Sequence, residues 1–260
     1  SVQVAALTGA QVAAIATDDF VNLTTTVINK LTTAQVAALT TSQFNNMTTD
    51  QLVNLTTASL ASLTTDQVVA LSTSQVPNLT STQVGALSSS QLRAMEVADF
   101  AKVSTAALSS ITTAALSGLT TAQMVALTTD QVPVITATQI AAISTANLAV
   151  METADFAKLT TDAIVALTTA QAAAITNTQM PAMTTDQLVK LETADFAALS
   201  TANIVALTTA QMGVLTTAQL KALTPTQIVK LETADLAALS SAQIVGIELS
   251  DLALLSTDQV

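Results

Sequence analysis

From Leu7 to Leu255 every eighth residue is Leu, Ile, Met or Val, and no insertion or deletion breaks the count. A second apolar register runs in step, from Val4, Val12, Phe20, Ile28 and Val36 to Leu252 and Val260, with Ala172 as its weakest member. So short and strict a period is incompatible with the irregular core of an ordinary globular domain. The same few side chains must meet the same neighbours again and again, which is the condition of a repeat array. With the first apolar residue as position 1, the unit reads Leu-Thr-Thr-Ala-Gln-Val-Ala-Ala and stands unaltered at residues 31–38. Residues 1–260 are expected to form a single continuous array of about 32 octads, with a partial unit at each end, as in an excerpt of a longer array.

The octad carries the marks of a helix start. Position 2 is Thr, Ser or Glu in every unit but the one with Ala16, and position 5 is usually Gln, Asp or Asn. A hydroxyl three residues ahead of an amide or carboxylate is the spacing of a capping box, in which each side chain satisfies a backbone N–H of the opening turn. Position 3 accepts Pro225, and proline is tolerated at the first helical residue because that N–H has no partner inside the helix. All acidic residues fall at positions 2, 4 or 5, whereas Lys30, Arg93, Lys102, Lys158, Lys190, Lys221 and Lys230 all fall at 7 or 8. That segregation follows the helix dipole. Position 6 and the next position 1 are three apart and share one helical face.

Pro77, Pro133 and Pro181 stand at position 7, where proline interrupts any longer helix. Each octad is therefore expected to form one helix of one to two turns, too short to persist alone. Stability must come from stacking, with neighbouring octads burying their apolar faces on each other, and the expected fold is an all-α solenoid, or superhelix. Phe20, Phe44, Phe100, Phe156 and Phe196 fall on odd and even octads alike, which makes the single octad the unit. Position 8 is mostly small, with Gly118 and Gly246 among its variants, which would allow close approach of adjacent helices. A β-solenoid is the alternative, since Thr and Val favour strands; abundant Ala and Gln, five glycines and the segregated charges weigh against it.

The chain has no Cys, His, Trp or Tyr and one Arg, so the groups that usually carry nucleophilic catalysis, proton transfer and soft-metal binding are missing. No enzyme activity, no catalytic, cofactor-binding or metal-binding residue, and no cofactor is expected. A net charge of -11 would repel a phosphate backbone, so no nucleic acid partner is expected. Polar residues interrupt every apolar run long before the ~20 residues of a membrane helix, so membrane insertion is not expected either. Asp18-Asp19 and the pairs Glu96/Asp99, Glu152/Asp155, Glu192/Asp195 and Glu232/Asp235 could offer oxygens to a hard cation. They lack the turn glycine and alternating acids of a calcium loop, and helix capping is the preferred account. Spacings of 56, 40 and 40 residues between these Glu-x-x-Asp octads point to duplication of a block.

Stretches such as Leu207-Thr208-Thr209-Ala210-Gln211 and Leu215-Thr216-Thr217-Ala218-Gln219-Leu220 resemble the Leu-Thr-Thr-x-Gln-Val-x-Ala octad tracts of very large secreted proteobacterial proteins, including adhesin-like and RTX-associated ones. The resemblance spans the whole chain and implies an extracellular or cell-surface location and a role as fibre, stalk or matrix element. The Gly-Gly-x-Gly-x-Asp repeats of the RTX class are absent. An array without polar capping repeats is expected to associate with itself end to end. The alternative is a repeat module that recognises a protein, a glycan or ice. Position 3, which admits Val97, Ala137, Pro225 and Leu249, is too variable for a flat recognition lattice.

Overall fold

The hydroxyl at position 2 starts a helix in octad after octad. In a computed structural model, which describes residue 4 and residues 6–259, Thr32 is extended (φ -73°, ψ 159°), its hydroxyl accepts the Gln35 N–H, and Gln35 Oε1 accepts the Thr32 N–H at 2.8 Å. The same reciprocal pair opens the helices that follow Thr40, Thr48, Thr64, Thr80, Ser88, Thr120 and others. Val260, the closing member of the second apolar register, lies outside the described residues.

Among the described residues there are 28 α-helices of four to six residues and three 3-10 turns, and no strand, so the fold is the all-α solenoid and not its β alternative. The 3-10 turns, Val76–Asn78, Val132–Val134 and Met180–Ala182, coincide with Pro77, Pro133 and Pro181. Their position-7 proline has no N–H for an α-helical bond, and the tighter turn takes its place. Between helices the chain extends through positions 1 and 2, as at Met95 (φ -59°, ψ 133°) and Glu96 (φ -59°, ψ 146°). No described residue has a positive φ, which explains how the fold manages with five glycines.

The stacking partner of an octad is not the next octad. Thr33–Ala37 packs on Gly9–Ala13 behind it and on Thr57–Ala61 ahead of it, each three octads away. The extended pair at positions 1 and 2 turns the chain between helices, so consecutive helices follow each other around a coil, and burial takes place between coils. The expectation that adjacent octads stack directly is corrected accordingly.

Contacts divide the chain into two compact units, residues 1–134 and 135–260. In the first, the position-6 residues Phe20, Phe44 and Phe100 are 0% exposed and the position-1 residues Leu39, Met47 and Leu55 are 3–4% exposed. In the second, Phe156, Phe196 and Leu220 are fully buried at position 6, with Leu191 and Leu199 buried at position 1. Each such side chain gains roughly 1.5–3 kcal/mol from leaving water. Position-8 glycines mark close approaches between coils rather than between adjacent helices: a Cβ on Gly246 would lie 3.1 Å from that of Thr217.

Candidate functional site

Position 5 is polar by composition and buried by placement. Gln35, Gln43, Gln51, Gln67, Gln83 and Gln91 are 1–3% exposed. A buried amide must spend both its acceptor and its donors. The acceptor closes the capping box of its own helix. The donors reach across to another coil: Gln67 Nε2 gives hydrogen bonds to Val36 O and Leu39 O, both at 2.8 Å, and Gln43 Nε2 to Val12 O at 3.1 Å and Ile15 O at 2.7 Å. These acceptors are the position-6 and position-1 carbonyls, at the trailing end of a helix, where backbone oxygens lack intrahelical donors. One glutamine thus caps the start of its own helix and the end of another.

The spacing is constant. The acceptors lie 31 and 28 residues back, at Gln123, Gln171, Gln179, Gln211 and Gln219 as at Gln67. Within each unit one coil therefore takes about 28 residues, three and a half octads, and the helices of Gln67 and Gln171 each reach the junction between two helices of the coil behind. Sequence reasoning gave position 5 only the local capping role. A signal for the second role was available: Glu closes a capping box as well as Gln does, yet no octad has Glu at position 5.

The shorter Asn203 still spans the gap, with its Nδ2 2.8 Å from Ile175 O. At Ala115 the Thr112 hydroxyl still accepts the Ala115 N–H, at 3.2 Å. The Glu-x-x-Asp octads differ most. Glu96, Glu152, Glu192 and Glu232 are N-cap residues whose side chains make no cap hydrogen bond, which corrects the capping account for these octads. The Glu side chains are exposed, while Asp99, Asp155, Asp195 and Asp235 are 2–3% exposed in the glutamine register. Asp195 Oδ2 is buried without a hydrogen-bond partner. Burial first, and the neighbouring Glu96 carboxylate second, push the Asp99 carboxyl above its ordinary value; burial and then Glu152 do the same at Asp155. At Asp235 burial and Glu232 raise it against the opposing effect of the Glu232 N–H, which donates to the carboxylate.

The helix Thr17–Phe20 carries Asp18 and Asp19 in its first turn behind Ala16, which has no capping side chain. Among the described residues no three acidic side chains converge as metal ligands, and no helix is long and apolar enough to cross a membrane. An apolar cleft of about 300 Å³ in the second unit is lined by Leu236, Ile244, Ile247, Leu252 and Leu255, with Thr233 and Gln259 as its polar members. Those two groups supply neither a nucleophile with its base nor a charge to orient a ligand. The position-2 hydroxyls, which could have formed a recognition ladder, are committed to helix N–H groups wherever the capping pairs form.

A family model described as the ALTTAQ repeat matches residues 12–49, 44–81, 92–129, 148–185, 188–225 and 228–260. No curated protein matches the chain.

Proposed function

As a member of the ALTTAQ repeat family, to which this chain belongs, the protein is, we propose, a structural repeat element that builds an extracellular fibre, stalk or matrix. The observation that carries this reading is the position-5 joint. The buried glutamines of this register are spent on holding coil to coil, where an enzyme or receptor would keep such groups free for a substrate. We assign the chain no catalytic role, since it has neither His nor Cys to activate a nucleophile.

The joint also supports self-association. Every coil has a donor side, made of Gln Nε2 groups, and an acceptor side, made of helix-end carbonyls. A head-to-tail contact between two copies can repeat the contact between two coils, and such heterologous contacts propagate. The surface location rests on the resemblance to secreted octad proteins. Exposed position 3 varies too much, from Thr to Val97, Pro225 and Leu249, to favour the recognition-module alternative.

Sedimentation and electron microscopy over a concentration series test the assembly. Filaments that lengthen with concentration are expected, and a chain that stays monomeric at high concentration would overturn it. Protease treatment of intact source cells tests the location: cleavage is expected, and full protection contradicts it.

A further inference from the structure

The glutamine register is built for a donor. Nε2 of Gln67 lies 2.8 Å from both Val36 O and Leu39 O, and Nε2 of Gln211 lies 3.0 Å from Met180 O and 2.8 Å from Met183 O. An ionised carboxylate in that register presents an acceptor to acceptors. Counting the same 28 and 31 residues back assigns the carbonyls of Leu71 and Val68 to Asp99, of Leu167 and Ile164 to Asp195, and of Leu207 and Ile204 to Asp235. Asp195 shows the mismatch directly, through its buried and unpartnered Oδ2. Asn203 shows what resolves it. Asn has the length of Asp, and its Nδ2–H reaches the position-1 carbonyl of Ile175 at 2.8 Å. A carboxylic acid that keeps its proton has the same shape and the same donor.

We propose that the buried position-5 carboxyls of Asp99 and Asp235 are proton-carrying joints: in the neutral form each donates its O–H to the position-1 carbonyl of the coil behind, and loss of the proton loosens that joint. The protein thereby acquires coil contacts that acid tightens and base weakens, set in an array whose amide joints, glutamine and asparagine, are indifferent to pH.

The surroundings favour the neutral form. Glu96 adds a like charge beside Asp99, the helix Thr121–Val125 packed on its own carries no charged residue, and Asp66 on Thr65–Val69, the helix that contains Val68, is exposed, as are the cations Arg93 and Lys102. Asp235 faces Glu232 on its own turn and the uncharged helix Thr209–Val214. Burial raises the carboxyls of Asp99 and Asp235 above their ordinary value, in the same direction. The linkage sign is then fixed. A carboxyl raised in the folded state contributes its stability in full below the unfolded value, about 3.9, and loses it as pH rises through the folded value.

The test is thermal unfolding of the full chain and of the variant Asp99→Asn/Asp235→Asn between about pH 4 and pH 8. Asn supplies the donor at every pH. The variant is expected to melt several degrees above the wild type at pH 8, with the gap closing toward pH 4. A protonated-carboxyl infrared band that is stronger in the wild type than in the variant at pH values above the ordinary carboxyl range is the second expected result and needs no unfolding transition. A gap that does not change with pH, a variant less stable than the wild type at pH 8, or bands of equal strength in the two proteins would each overturn the proposal. So would a rise in wild-type Tm with millimolar calcium at pH 8 that the variant lacks, since the joint would then hold a cation.

Discussion

Replacing Gln67 with alanine removes three good hydrogen bonds at once: the Thr64 N–H to Oε1 bond at 3.0 Å and the two Nε2 bonds to Val36 O and Leu39 O at 2.8 Å. Each is worth about 1 kcal/mol net, so the loss is about 3 kcal/mol. The orphaned groups would normally add a desolvation penalty. Val36 O keeps the Leu39 N–H of its own chain turn, but Leu39 O loses the donor that Gln67 gave it, so about 3 kcal/mol is the lower bound of the cost. Thr64→Ala removes one bond, the Gln67 N–H to the Thr64 hydroxyl at 3.2 Å, at about 1 kcal/mol. The two variants therefore separate the contact between coils from the local cap. Both are expected to fold, since Ala107, Ala115 and Ala163 already occupy position 5. Urea unfolding gives the two costs, and amide hydrogen exchange locates them: Gln67→Ala should lower protection in residues 32–39 as well as 64–71, and Thr64→Ala only around its own octad. If the two variants cost the same within about 0.5 kcal/mol, and exchange changes only locally, the glutamine is merely a cap and the joint between coils contributes nothing measurable.

Three further outcomes follow from the packing. Gly85→Ala would place a Cβ 2.8 Å from the backbone oxygen of Ser110 and should cost about 1–3 kcal/mol, whereas Gly213→Ala, with Ala238 O at 3.6 Å, should stabilise by roughly 0.5–1 kcal/mol through helix propensity; paired denaturation curves read both signs. Phe100→Ala empties a fully buried site and should cost about 3–5 kcal/mol in the same assay, while Val97→Thr, three residues away and 41% exposed, should stay within about 0.5 kcal/mol. Lys190→Glu reverses a charge in the last turn of Thr185–Lys190 and should lower stability by about 0.3–1 kcal/mol at low salt, an effect that fades at high salt when the melts are repeated.

Much of the local structure was legible in the residues. A hydroxyl at Thr32 and an amide at Gln35 define a helix start whatever surrounds them, because both bonds close within four residues. Pro77 and its two counterparts announced interrupted helices, and the structure answers with 3-10 turns. The burial of Leu39 and Phe44 could be read from their period alone. The Glu octads misled: Glu96 occupies the cap position without capping, because a long carboxylate there reaches into water while the shorter Asp99 turns into the core.

The sequence by itself determined the unit, its polarity and its apolar face, all of which depend on contacts within about eight residues. Only the tertiary structure decided which octad lies beneath which. Every octad offers the same face, so periodicity cannot distinguish a partner one unit away from one at three and a half; the choice is made by the angle through which positions 1 and 2 turn the chain. That angle brings Gln67 over Val36 and Leu39, 31 and 28 residues back, and so converts a capping residue into the joint between coils.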